Sequence, residues 1–349
     1  MKQIDLRSDT VTLPTQEMLK AMTTAELGDD VYGEDKSTRK LEEYSAELLG
    51  KEAALFVPSG TMGNLVAVLT HCAKHRMPEI IAEAKSHLLM SEAGNYAQCG
   101  SISVRSVVGH HGYMLPNDIE NEMRDSNNLH HPTTALICME NTHNFAGGTV
   151  SSLEQIAQVR HLADDYQIPM HLDGARLFNA AHVLNTSADN IAKYFDSVQF
   201  CLSKGLSAPV GSILVGTRSF ITEARHFRKM LGGGMRQCGA IANAGMVALV
   251  TMRERLVEDH QTAFALAQDL APLPGIAIDM DTVQSNIVGM SVEGIGITAH
   301  ELVIRLKDKD VLCTAQGKYY VRFVTHRHIS KDDVKQAAKE IAKVLRDVG

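Results

Sequence analysis

The stretch FCLSKGLS, residues 200–207, puts Lys204 just past an apolar run and inside a Ser/Gly turn. Lysine is costly to remove from water, so its place at the exit of a buried strand asks for a chemical reason. Residues 198–202 have the continuous apolar character of a strand covered on both faces, the signature of a mostly parallel sheet layered by helices. Working outward, the same character predicts strands at 54–57, 102–108, 135–139, 168–172 and 212–215. Between them, helical spacing marks 63–73, 152–166 and 175–184. Nearer the start, 14–25 reads as a helix with Pro14 at its entry. Residues 37–49 read as a second, with Ser37 as its cap, Leu41, Tyr44, Leu48 and Leu49 on one face, and Gly50 as its stop.

Residues 239–268 are predicted as long helices. After Pro272 the pattern becomes α+β, with strands at 276–280, 287–291 and 319–325 and helices at 299–307 and 331–346. The expected division is an N-terminal arm (1–15), a large domain (16–250) and a small C-terminal domain (251–349). A length of 349 residues, 44% of them hydrophobic, suits a large α/β core with a smaller partner. The formal net charge is -7 with no basic block, which argues against nucleic acid as a partner. Six cysteines are scattered without a CxxC pair, as expected of reduced thiols in the cytoplasm. The polar start MKQIDLRSDT is no signal peptide, and no apolar run approaches the ~18 residues of a membrane span.

In a doubly wound sheet, ligands bind beyond the carboxyl ends of the strands. Gly60 and Thr61 follow one predicted strand, Asp173 another, and Lys204 a third. A phosphate suits the free N–H groups at the start of the helix after Gly60. A desolvated lysine becomes a nucleophilic amine and can form a Schiff base. A carboxylate such as Asp173 can keep a pyridine nitrogen protonated. Phosphate, aldehyde and ring nitrogen are the three handles of pyridoxal phosphate, PLP. Each signal also has an ordinary reading as a helix cap, a solvated loop lysine or an Asp-Gly turn.

Eight motifs in order carry a resemblance: DLRSDTVT (5–12), GDDVYGED (28–35), PSGTMGNL (58–65), ENTHN (140–144), HLDGARLFNA (171–180), LSKGLSAPVGS (202–212), RKMLGGGMRQ (228–237) and VRFVTH (321–326). The sequence closely resembles the PLP-dependent low-specificity L-threonine aldolases of fold type I. The resemblance implies a large domain with a seven-stranded, mostly parallel sheet and a small α+β domain. It implies retro-aldol cleavage of L-threonine or L-allo-threonine to glycine and acetaldehyde, in glycine biosynthesis or threonine catabolism.

By the same resemblance Lys204 forms the Schiff base and Asp173 pairs with the ring nitrogen. Gly60, Thr61 and Ser203 bind phosphate, and His87 stacks on the ring. Arg176 lies near the ring hydroxyl or the substrate carboxylate, which Ser8 and Arg322 hold. Arg322 in an internal salt bridge is the competing reading. The family is tetrameric, so Tyr32, Lys229 and Arg236 are expected to reach a neighbour's site. His87, His130 or a phosphate-bound water is the expected base. Ser207 stands where relatives often carry Gly. No HExxH or Cys/His cluster predicts a metal. β-Elimination, transamination and PLP binding without turnover are the alternatives.

Overall fold

The computed structural model describes residues 2–125 and 127–348. In chain order its strands are β1 (Ile4–Asp5), β2 (Ala53–Val57), β3 (Pro78–Glu83), β4 (Ser103–Val107), β5 (Thr133–Glu140), β6 (Met170–Asp173), β7 (Ser197–Cys201), β8 (Ser212–Gly216), β9 (Ile287–Ser291), β10 (Val311–Leu312), β11 (Thr314–Ala315) and β12 (Tyr320–Val324). Seven form one sheet in the order β2-β8-β7-β6-β5-β3-β4. β8 runs antiparallel to both β2 and β7, and the other neighbours pair in parallel. All strands except β8 therefore open their carboxyl ends on one edge.

Alternate residues of a strand face opposite sides, so a strand buried on both faces feeds two cores. On β2, Leu55 and Val57 pack with Val66, Ala67, Ile221 and Ala224 from helices Gly60–Cys72 and Arg218–Met230. Ala54 and Phe56 enter the opposite core with Leu41, Ala242 and Leu249. A separate core gathers Leu266, Leu270, Val288, Leu302, Phe323 and Ile341 around the antiparallel sheet β11-β12-β9. Ile4 and Leu6 join that core, and β1 pairs with β10.

Several expectations are corrected. Asp35 rather than Ser37 caps helix Lys36–Leu48; its Oδ1 accepts from Thr38 N at 2.9 Å. Helix Gly60–Cys72 starts three residues before the predicted 63, with Ser59 as its cap. Residues 276–280 form no strand. Ala277 makes one bridge to Ser291, and the Asp279 side chain then accepts from Asp281 N and turns the chain. β3 escaped the sequence reading because its PEIIAE carries two acids. Both are buried, and Arg124 (3.2 Å) and His143 (3.0 Å) compensate them.

The turn after β7 is closed by Ser207 N donating to Lys204 O (2.8 Å) and Ala208 N to Leu202 O (3.0 Å). Thr12 Oγ1 also donates to Lys204 O, at 2.8 Å. Ser207 is fully buried at φ 64°, the left-handed region that glycine adopts without strain. Ser207→Gly is thus expected to change unfolding free energy by less than about 1 kcal/mol. Ser207→Val, β-branched at a positive φ and overpacked, is expected to cost on the order of 3 kcal/mol in denaturant titrations.

His171 on β6 is completely buried, and burial pulls its imidazole down to about 4. It is neutral in the fold, whereas the unfolded chain takes up the proton from about pH 6.5 downward. Stability must therefore fall as pH drops from about 6.5 toward 4, by about 2 kcal/mol at pH 5 from this group. Urea unfolding at pH 7 and pH 5 should show that loss, and His171→Gln should remove this part of it.

Candidate active site

The carboxyl edge delivers the chemistry. β2 leads to Gly60 and Thr61, β3 to His87, β5 to Glu140 and Asn144, β6 to Asp173 and Arg176, and β7 to Ser203 and Lys204. A cavity of about 480 Å³ opens there, lined by Ser8, His87, Asn144, Arg176, Lys204 and Arg322, with Met90, Ser91, Phe145 and residues 314–317 around its mouth. Among the described residues, Lys204 makes no ion pair with a carboxylate.

Gly60 is needed for close approach. A Cβ there would lie 2.8 Å from Cys201 Sγ and 3.0 Å from Gln199 Nε2. At Gly63 it would lie 2.6 Å from Gln199 Cγ. The helix thus sits directly on β7, with its first unpaired N–H groups at the edge. Ser203 is half-buried beside Lys204.

Asp173 is buried. Its Oδ2 accepts from Asn64 Nδ2 at 2.8 Å and its Oδ1 from Ala175 N at 3.0 Å. His87 is fixed at two points. Its N–H donates to Glu140 Oε2 (2.6 Å) and its Nδ1 to Glu92 Oε1 (2.9 Å). Burial disfavours charge on that ring, but Glu92 and then Asp173 outweigh it, and the imidazole is held above its ordinary value. His87, Glu92 and Asp173 offer atoms within 4.8 Å of one another, a grouping that spacing in the sequence did not reveal. Hydrogen bonds to one another and to Asn64 already engage them.

Arg176 is buried, and its fork is taken by Asp9: Nε to Oδ2 at 2.7 Å and Nη2 to Oδ1 at 2.8 Å. Burial raises the Asp9 carboxyl, yet Arg176 and Lys204 hold it well below the usual carboxylate range. Arg322 has no acidic partner among the described residues, which sets aside the internal salt bridge. Its Nη1 donates to Asn144 Oδ1 (2.8 Å) and its Nη2 to Arg7 O (3.2 Å). Its Nε is enclosed with no hydrogen-bond partner. Burial, and then the Arg176 charge, pull this guanidinium down to about 10.

The remaining candidates lie outside this cavity lining. His130 is on an exposed turn, its N–H donating to Asn128 Oδ1 at 3.0 Å. Tyr32 is 75% exposed and lies under Arg236, whose guanidinium is 5.9 Å from its ring. Arg236 also pairs with Asp29 at 2.8 Å, and Lys229 is exposed. The sequence reading missed Asp9, Asn144, Glu92, Asn64 and Glu140. Asp9, Asn64, Asn144 and Glu140 stood inside quoted motifs, but pairings across 167 residues, such as Asp9 with Arg176, leave no local pattern.

The beta-eliminating lyase family model matches residues 5–293. Low-specificity L-threonine aldolase 1 of Arabidopsis thaliana is 43% identical, over 96% of this chain and 94% of its own. The low specificity L-threonine aldolase of Escherichia coli K12 is 41% identical, over 96% and 97%. The solved threonine aldolase of Leishmania major shares the fold with a TM-score of 0.82, 19% identity and coverage of 98% and 99%. With a family model spanning most of its length and such relatives end to end, this chain belongs to the beta-eliminating lyase family and, within it, to the low-specificity L-threonine aldolases.

Proposed function

We propose that this chain uses PLP to cleave L-threonine and L-allo-threonine into glycine and acetaldehyde. One observation carries the reading: a guanidinium without an acid, Arg322, faces the same cavity as a lysine amine outside any ion pair and an imidazole. The residues present fit the cofactor. Lys204 offers an amine for its aldehyde and Asp173 an acid for its ring nitrogen. Gly60, Thr61 and Ser203 offer donors for its phosphate, where the space over Gln199 and Cys201 admits no side chain at residue 60. Bound there, PLP supplies an electron sink for negative charge at the amino-acid Cα.

The chain supplies binding, orientation and proton transfer. Arg322 is the carboxylate receptor, since an enclosed, partner-poor fork matches a planar anion. Ser8 adds a hydroxyl at the same wall. Arg176, committed to Asp9, contributes field and position rather than a free fork. Holding the carboxylate decides which bond at Cα faces the cofactor, and so which bond breaks. His87 is the leading base: it takes the β-hydroxyl proton as the Cα–Cβ bond opens and acetaldehyde leaves, and a proton returned to Cα completes glycine. His130 and a phosphate-bound water are the alternatives for that role.

We read the finer points the same way. The chain functions as a homotetramer in which Tyr32, Lys229 and Arg236, exposed here, complete a neighbour's phosphate and substrate contacts. Its place is the cytoplasm, consistent with six free cysteines, five of them buried. No helix of the described residues is long and apolar enough to cross a membrane. The chain divides into an N-terminal arm ending at residue 15, a large domain ending at 250 and a small C-terminal domain from 251. The family description favours β-elimination as a second reading.

Product analysis separates the two. L-Threonine and L-allo-threonine are expected to give glycine and acetaldehyde in equal amounts; ammonia and a keto acid instead would establish elimination. Borohydride treatment of the PLP-loaded chain should fix the cofactor on the peptide bearing Lys204, and Lys204→Ala should abolish both that adduct and turnover. Arg322→Ala should raise KM for threonine about 100-fold, as expected for losing ~3 kcal/mol of charged hydrogen bonding, with a smaller fall in kcat.

A further inference from the structure

The hydrogen bonds behind His87 form a directed chain into the protein interior. His71 Nε2 lies 2.8 Å from Ser197 Oγ, and Ser197 Oγ 2.8 Å from His171 Nδ1. His171 Nε2 lies 3.1 Å from Asn64 Oδ1. Asn64 Nδ2 then serves two acids, Glu92 Oε1 and Asp173 Oδ2, each at 2.8 Å. Burial pulls His71 down to about 3 and His171 to about 4, so both rings are neutral and each has one N–H to donate. One consistent assignment follows: His71 donates to Ser197, Ser197 to His171, and His171 to the Asn64 carbonyl. The orientation of the Asn64 amide is thereby settled, with its NH₂ toward the two carboxylates.

Glu92 Oε1 already accepts from Asn64 and can accept only the Nδ1–H of His87 as its second donor. That leaves Nε2 of His87 as the ring atom free to exchange a proton with the cavity. Glu92 Oε2 is buried with no partner and burial holds this carboxyl above its ordinary value, so beside the Asn64 amide the one ionisable group bonded to it is His87. We propose that Glu92 is a positioning residue of the cleavage reaction, setting the tautomer and basicity of His87, and that Asn64 couples it to Asp173. The inference rests on the placement of His87 at the reacting group.

The other charges facing His87 are Asp173 from the end of β6, Glu140 from the end of β5, and Lys204 from the turn after β7. Arg176 and Arg322 stand across the same cavity. Glu92 is the one acid bonded to the ring itself; Glu140 holds the backbone N–H. Removing the Glu92 charge leaves the two cations across the cavity and Lys204 less opposed, so the imidazole must become a weaker base.

The test reads His87 directly in the full-length chain. Diethyl pyrocarbonate acylates neutral imidazole, and its rate at the His87 peptide, followed by mass spectrometry from pH 5 to 9, gives the pKa of that ring. In the parent chain His87 should titrate above N-acetylhistidine. In Glu92→Gln it should fall by a unit or more, seen as about tenfold faster acylation at pH 5.5 relative to the high-pH plateau. The ascending limb of kcat/KM should move to lower pH with it, and Glu92→Asp should restore the parent behaviour in part. An unchanged His87 profile in Glu92→Gln overturns the proposal. So does a parent value at or below N-acetylhistidine, a result that needs no variant to fold. Protection of His87 by added PLP reports separately on its placement in the site: loss of protection with the Glu92 effect intact would fault the functional reading alone.

Discussion

Two guanidinium groups line this cavity and one carboxylate answers only the first of them, and the rest of the site depends on that imbalance. Asp9 answers Arg176 with both oxygens, and Asn144 Oδ1 reaches Arg322 at 2.8 Å and Arg176 at 3.3 Å. The amide tethers both cations and neutralises neither. A buried charge without a counter-ion is expensive, and a structure keeps one where a ligand supplies the missing charge. The local field thereby favours an anion over a neutral group of similar size.

Glu140 sets the geometry around that field. Its two oxygens accept the N–H of His87 at 2.6 Å and of Asn144 at 2.7 Å. One carboxylate at the end of β5 thus ties the segment carrying the imidazole to the segment carrying the arginine tether. The register continues across the sheet, with Glu140 beside Asp173 and Asp173 beside Gln199. Parallel strands in register place these side chains at one height along the edge, which loops alone hold less exactly in position.

Much of this was legible in the chain itself. Lys204, Asp173 and Gly60 follow apolar runs, and a run buried on both faces implies a parallel sheet with one functional edge. β3 was illegible because its acids are balanced by Arg124 and His143, neighbours only in space. Asp35 won the cap from Ser37 because its carboxylate also accepts from Gly28 N and Gly239 N, contacts that no local pattern encodes. Ser207 shows the opposite case: the resemblance singled it out as standing in place of Gly, and it does lie at positive φ. Asp9, Asn64, Glu92 and Asn144 were hidden for one reason. Each works through a partner far along the chain, and a single sequence displays neighbours in order, not in space.

The N-terminal segment closes a long circuit. Leu6 donates to Leu312 O and accepts from Val324 N, and the residues just after it supply Ser8 to the cavity and Asp9 to Arg176. Residues separated by about 300 positions along the chain therefore meet in one wall. The large sheet, drawn from residues 53–216, can form without this wall, whereas the wall needs both the segment before that sheet and the segment after it.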